Sequence, residues 1–289
     1  MKTPLHKLME EQGFGYIAEH LAAFQQNAIT LASTPARSPL PVGTSKRGGY
    51  PDMPATATWP SWRDIPMTFI AQLNLADVAP HDTDQRLPHE GVLSFFYASQ
   101  QPWGDKADDL GAAVVRHFTP EGGPLVPHPV PAIPDELEVS CNDAGMVCAL
   151  SDAGWRHHFV LQQFALRFSH FISEPDSYDS LEMLMLELPE AEGDALFNFQ
   201  CSDAFTDRWR DPSDQILGQA YRLQNDMRTD CADVFNPIRG TQARDWQLLL
   251  QLLDDGSGAF GFAMVYFWIH SDDLARHCFD NVLVGKQCD

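Results

Sequence analysis

The stretch Trp246–His270, WQLLLQLLDDGSGAFGFAMVYFWIH, constrains the fold more than any other part of the chain. Two apolar runs, Leu248–Leu253 and Phe262–Ile269, flank Asp254-Asp255-Gly256-Ser257-Gly258. Glycine supplies positive φ and aspartate tolerates it, so the middle reads as a turn. Neither run reaches the roughly 20 apolar residues of a membrane helix. The second run is rich in strand formers. The pattern predicts a β-hairpin buried at the centre of a sheet.

An earlier stretch has the same layout. Phe69-Ile70-Ala71-Gln72-Leu73 matches Leu248-Leu249-Leu250-Gln251-Leu252. Gly91-Val92-Leu93-Ser94-Phe95-Phe96-Tyr97 resembles Gly261–Trp268 with one residue inserted, and Leu87–Gly91 supplies the turn before it. The chain therefore reads as two diverged strand-turn-strand units. The expected fold is α+β and β-rich, with the two units forming a pseudo-duplicated sheet core. Gln72 and Gln251 fall at equivalent places inside apolar strands, and a buried amide needs partners. They form a structural polar pair, each bonded to a neighbouring loop, or else a shared polar site between the halves.

Further strands are expected at Ala112–Phe118 and Val282–Val284. Phe159–Ile172 fits helix and strand alike, with strand favoured from Phe164 onward. Leu181, Leu184, Met185 and Leu188 fit a short helix stopped by Pro189, and Ser271-Asp272-Asp273 reads as a helix start. The proline- and glycine-rich residues 119–135 divide the halves, at about 42–118 and 136–289. Before them, Ile17, Leu21, Phe24, Ala28 and Leu31 step by four and three residues, which draws one apolar stripe. Residues 1–34 are thus expected to form an N-terminal amphipathic helical segment, broken at Gly13 and Gly15. It packs on the protein's own core or docks a partner. Thr34–Pro41, with its three prolines, ends it.

No motif names a reaction. Lys46-Arg47-Gly48-Gly49 lacks the spacing of a phosphate loop and reads as a turn. No nucleophile elbow, zinc-protease helix or calcium loop is present. His157-His158 are adjacent, so on a strand they point opposite ways and serve one metal poorly. Asp108-Asp109, Asp254-Asp255 and Asp272-Asp273 suit solvated turns and helix starts. Cys141, Cys148, Cys201, Cys231, Cys278 and Cys288 are scattered, with no C-x-x-C pair, which favours inert thiols. Met1–Tyr16 has no apolar signal core. The expectation is a cytoplasmic binding protein, not an enzyme, without cofactor, metal or catalytic residue.

Charge is the most informative bulk property. The 289 residues carry a formal net charge of −21 at pH 7, and all of the deficit falls after residue 67. Such a field repels nucleic acid and membrane surfaces and speeds encounter with a basic partner, although simple solubility also accounts for it. The densest acidic stretch runs from Glu174 to Asp214. Its expected partner-binding residues are Glu174, Asp176, Asp179, Glu182, Glu187, Glu190, Glu192, Asp203, Asp207, Asp211 and Asp214, with Trp209 among them. Phe197, Phe199 and Phe205 are further aromatic anchors.

The tract Ser45-Lys46-Arg47-Gly48-Gly49-Tyr50-Pro51, then Met53-Pro54, Trp59-Pro60 and Phe69–Leu75, resembles the bacterial YwqG-like family, whose function is unknown. Leu87-Pro88, Gly91, Leu93, Phe95-Phe96-Tyr97, Pro102-Trp103-Gly104, Ile216-Leu217-Gly218 and Trp246–Phe279 extend the likeness over residues 42–289. Two places depart from it. Phe260-Gly261-Phe262 stands where the family often has Trp-Gly-Asp, and Gln219-Ala220-Tyr221 follows Gly218 in place of Gly-Tyr-Pro. The resemblance implies a β-rich α+β fold and a place among toxin-neutralising proteins. The implied function is a cytosolic immunity-type protein that occludes a basic toxin domain, such as a nuclease. The alternative is a small-ligand-binding protein or uncharacterised enzyme with a cleft between the two pseudo-repeats, lined by Gln72 and Gln251.

Overall fold

The computed structural model describes residues 4–15, 18, 25–131, 136–140, 147–151, 161–174, 189–202, 213–254 and 263–288. Ten strands form one sheet: β1 (Gln26–Pro35), β2 (Lys46–Arg47), β3 (Thr68–Asn74), β4 (Val92–Tyr97), β5 (Ala113–Phe118), β6 (Phe164–Ser173), β7 (Gln215–Leu217), β8 (Trp246–Leu253), β9 (Met264–His270) and β10 (Leu283–Gln287). Among the described residues three longer helices accompany it: α1 (Pro4–Glu11), α2 (Glu190–Gln200) and α3 (Met227–Arg239). The strand order is β10-β9-β8-β7-β1-β6-β2-β3-β4-β5, and every neighbouring pair is antiparallel. The fold is therefore α+β and β-rich.

The order has a centre. β1 and β6 pair along their whole length, from Gln26↔Ser173 to Pro35↔Phe164. On one side stand β2, β3, β4 and β5; on the other stand β7, β8, β9 and β10. The two sides agree in register as well as in order. β2 pairs with β3 at Lys46↔Gln72, and β7 pairs with β8 at Gln215↔Gln251. The β3–β4 ladder shifts between Phe69 and Ala71, the β8–β9 ladder between Leu248 and Leu250. Counted from each glutamine, the skipped residues Ile70 and Leu249 occupy the same place.

The glutamines explain why two very short strands hold position. Gln72 Nε2 donates to Thr44 O at 2.9 Å, and its Oε1 accepts from Asp52 N at 2.8 Å. Gln251 Nε2 donates to Ser213 O at 2.8 Å, and its Oε1 accepts from Tyr221 N at 2.8 Å. Each amide thus pins the chain just before and just after the short strand opposite it. Between the pinned points the chain reverses through two consecutive left-handed residues, Gly48 and Gly49 in one half and Leu217 and Gly218 in the other. At Gly48 a β-carbon would lie 2.1 Å from Gln162 O, so only glycine fits there. Both glutamines are fully buried, and they brace loops instead of lining a cleft between the halves.

The cations of the Lys46-Arg47 tract are buried too. Lys46 Nζ meets Asp52 Oδ2 at 2.8 Å. Arg47 Nη1 donates to Asp214 Oδ2 at 2.9 Å, and its Nη2 donates to Leu253 O. Arg47 thereby ties one side of the sheet to the other.

Both faces of the β8–β9 hairpin are covered, which is why its sequence reads as nearly continuous apolar runs. On β9, Val265, Phe267 and Ile269 enter the main core, while Met264, Tyr266 and Trp268 join a second cluster with α3 residues Met227, Cys231 and Phe235. The bulge at Leu249 lets Leu248 face the α3 side and Leu250 the main core. The main core draws on both ends of the sheet, as in the edge-on contact of Phe95 with Phe267 at 5.3 Å between ring centroids. The sheet thus folds back on itself about β1 and β6.

Several expectations are corrected. Residues 26–35 form a strand, not the end of an amphipathic helix; helix is found at Pro4–Glu11. Ala28, Ile29 and Leu31 are buried, but β6 and β7 flank the segment, and these ladders override the helical spacing. Ile17, Leu21 and Phe24 lie outside the described residues. The β8–β9 hairpin sits toward one edge, because β1 and β6 take the centre. The short helix Ser271–Ala275 is capped by His270, whose side chain accepts from Asp272 N, and not by Ser271. Within residues 119–135, Leu125–Pro127 pairs back onto Asp52–Pro54. The helix expected around Leu181–Leu188 lies outside the described residues, as do His157 and His158.

Replacing Gln251 by Leu leaves a backbone N–H and a backbone C=O without their side-chain partner, at a cost of about 1–3 kcal/mol. Gln72→Leu costs more, because Gln72 Nε2 also donates to the Asp52 carboxylate at 2.8 Å. Urea denaturation of the two variants measures both the loss and its order.

Candidate functional site

Where the two ends of the sheet meet, one loop closes the seam. Pro102-Trp103-Gly104-Asp105, between β4 and β5, lies against β10 at the opposite edge. Lys286 N donates to Trp103 O at 3.0 Å. A β-carbon on Gly104 would stand 1.8 Å from Val284 O, and Gly104 has φ +85°, so the approach requires glycine. The loop is held from behind: Tyr97 Oη donates to Pro102 O at 2.7 Å, and Gly104 N donates to Asp109 Oδ2 at 3.0 Å. Burial, followed by the charge of Asp109, pushes the Tyr97 phenol well up.

Beside this seam lies a cavity of about 140 Å³. The seam loop contributes Trp103, Gly104 and Asp105. The start of α3 and the turn before it contribute Gln224, Asn225, Met227, Asp230 and Cys231. β10 contributes Val284, Gly285, Lys286 and Gln287. The wall is therefore assembled from both sides of the sheet. Gln287 fixes the turn: its Oε1 accepts from Leu223 N at 2.9 Å and Gln224 N at 3.2 Å, and its Nε2 donates to Asn225 O at 2.9 Å.

The electrostatics are uneven. Asp230 accepts from Asn225 Nδ2 at 2.8 Å, yet its carboxyl is held above the usual range. Burial is the main cause, opposed by the Asn225 bond and reinforced by Asp105, Asp226 and Asp233. Burial likewise pushes the Cys231 thiol well up, with Asp230 next in effect, so this thiol is a poor nucleophile. Lys286 donates to Gln101 Oε1 at 3.1 Å, and its Nζ lies 5.0 Å from the Trp103 ring centroid. Its pKa is lowered, chiefly by burial. Among the described residues no three His, Cys, Asp or Glu side chains converge as a metal-binding group. No described helix is long and apolar enough to cross a membrane.

The residues expected to bind a partner do not form one described surface. Asp176, Asp179, Glu182, Glu187, Asp203, Asp207, Trp209 and Asp211 lie outside the described residues, as does Phe205. Glu174 accepts weakly from Gln25 Nε2 at 3.4 Å. Asp214 is turned inward to Arg47 and also accepts from Leu253 N at 2.8 Å. Glu190 and Glu192 are exposed in the first turn of α2, close in sequence to Phe197, which is 50% exposed. Phe199 is buried and stacks on Phe14. The cavity residues Asp105, Asp230 and Lys286 drew no functional reading from the sequence. One signal pointed to them: Gly285 interrupts an apolar closing strand, and glycine inside a strand often marks a close approach.

An antiparallel ten-stranded sheet, with its two ends brought together beside a polar cavity, defines a β-rich α+β protein. The chain belongs to the family described as Domain of unknown function (DUF1963), matched over residues 45–288. The match begins after β1, so one strand of the central pair lies outside it. No curated protein matches the chain significantly.

Asp230 titrates with a definite sign. Its carboxyl is raised in the folded state, so its contribution favours folding at acid pH and is lost as pH rises through the raised value. Asp230→Asn therefore raises the melting temperature near neutral pH. The gain vanishes below the ordinary carboxylate range, where the native aspartic acid is protonated in both states. Thermal denaturation at the two pH values gives the comparison.

Proposed function

We propose that this chain is an immunity-type binding protein whose acidic exterior engages and occludes a basic protein, such as a toxin domain. The observation that carries this reading is where the cations go. Lys46 and Arg47 are both buried in ion pairs with Asp52 and Asp214, so these two cations offset two buried carboxylates and the formal surplus of −21 is carried by the rest of the chain. A surface so unbalanced steers a cationic partner into contact and excludes nucleic acid from it. The first turn of α2 offers carboxylates at Glu190 and Glu192, and the exposed Phe197 offers an aromatic anchor. The likeness to the YwqG-like family is the source of the toxin-neutralising part of the reading.

A second reading is favoured by one observation. The seam cavity has walls from both halves of the sheet and carries unlike charges, as a small-ligand site does. It replaces the cleft expected around Gln72 and Gln251.

Co-expression with the product of the adjacent gene tests the first reading. The expected result is co-purification that weakens steeply with added salt and protects cells from that product. Charge reversal by Glu190→Lys with Glu192→Lys should slow association about tenfold or more; it also removes two carboxylates from a helix N-terminus, so a melting curve is taken to show that the variant folds. Absence of binding and of protection overturns the reading.

A further inference from the structure

We propose that the edge of β6 between Phe168 and Ile172 is a docking notch, which takes an extended segment of a basic protein as an added strand. The choice of a basic occupant rests on the first reading above; the notch itself does not.

Register shows which way each backbone group points. In an antiparallel strand the N–H and C=O of one residue face the same side, and the side alternates along the chain. Leu166 N donates to Ser45 O on the β2 side at 3.2 Å, and Gln163 O accepts from Ala36 N on the β1 side at 2.9 Å. The odd-numbered residues of β6 therefore face β1, and the even-numbered ones face away from it. β2 covers Phe164 and Leu166 and then leaves the ladder. Gly43 N donates to Asp52 Oδ2 at 2.9 Å, and Gly43 O accepts from Asn74 Nδ2 at 3.1 Å, which draws the chain toward β3. Phe168, His170 and Ile172 are left with outward N–H and C=O groups that no described residue pairs. The stretch Phe168-Ser169-His170-Phe171-Ile172 contains no proline or lysine, the usual guards of an open edge.

The loop after β3 passes nearby without closing the notch. Its amides at Asp82, Gln85 and Leu87 bond within the loop, and Pro80 has none to offer. It meets β6 through side chains. The His81 and Phe168 ring centroids lie 6.5 Å apart. Asp84 Oδ1 accepts from Asn27 Nδ2 at 2.6 Å, and Asn27 Oδ1 lies 2.7 Å from His170 Nε2. Phe168 and His170 share a face with their partners Leu31 and Ile29, so these contacts brace the strand from the core side. The edge stays open: His170 is exposed, and Ile172 is 41% exposed.

Shape and charge select the occupant. β2 and β3 continue the sheet beside this stretch, so one extended segment fits, whereas a second copy would bring its own β2 and β3 into the same space. Phe168 and Ile172 favour apolar residues at alternate positions of the added strand. Asp77, bonded to Ser45, and Asp84 place exposed carboxylates beside the notch. Arg86 is matched by Asp82 and Asp84, and the exposed Arg167 belongs to the opposite face of β6. With the formal surplus of −21, this balance draws lysine and arginine into the remaining positions and repels an acidic strand.

The test is backbone amide exchange of the full chain, read by NMR with and without blocked peptides at up to about 1 mM. Without peptide, the amides of Phe168, His170 and Ile172 should exchange about tenfold or more faster than those of Arg167, Ser169 and Phe171, which face β1. The peptide KVKVKVK should slow exchange at the first three and leave the others unchanged. It should bind about tenfold or more tightly than EVEVEVE and than KVKPKVK, whose central proline removes a donor. Ile172→Lys should weaken it by about the same factor, with a melting curve showing that the variant folds. Binding of EVEVEVE as tight as that of KVKVKVK overturns the basic occupant while leaving the notch. Slow exchange at Phe168, His170 and Ile172 without peptide, or exchange there that no peptide changes, overturns the notch. Failure of the co-expression above, with KVKVKVK still bound, overturns the immunity reading alone.

Discussion

The fold depends on two side-chain amides. β2 and β7 are only a few residues long, too short for ladder bonds alone to fix the loops around them. Gln72 and Gln251 supply what the short ladders lack, each donating to the carbonyl before the strand and accepting from the amide after the turn. An apolar residue in either place would pack well and leave two backbone groups stranded. The polar residue inside an apolar run is therefore a structural requirement. Its repetition in both halves fixes where β2 and β7 lie relative to the central pair.

With the short strands held, the rest of the sheet has one route to closure. Its two ends face each other, as the contact of Phe95 with Phe267 shows, and the seam loop bridges them. Close approach at that seam demands glycine at 104, and the neighbouring space demands little side chain at 285. Backbone proximity on one side and the start of α3 on the other leave a gap that side chains do not fill. The cavity is thus a product of how the sheet closes, and its charged lining is a separate property of Asp105, Asp230 and Lys286.

The strands with both faces covered were legible in the sequence, since Val92–Tyr97 and Met264–His270 are buried at every position and read as apolar runs broken only at Ser94 and His270. The correspondence of Gln72 with Gln251 was legible too, because one polar residue in an apolar run stands out. The N-terminal segment was not. Ala28 and Leu31 satisfy a helical stripe, and only the partners β6 and β7, remote in sequence, make the segment a strand. Asp105, Asp230 and Lys286 were equally hidden, because three distant segments meet only after closure. Asp214 looked like part of an acidic belt, but its role is set by Arg47, far upstream in the chain.

The place of β1 has a consequence for how the chain is made. During synthesis it leaves the ribosome ahead of the other nine strands, yet both its neighbours, β6 and β7, are translated much later. The nascent chain must carry an edge-competent segment unmatched while more than half of the polypeptide is still to come. Closing such long loops is slow, and unmatched strands invite association between chains. Vectorial production therefore works against this topology, and assembly of its middle has to wait for the C-terminal half.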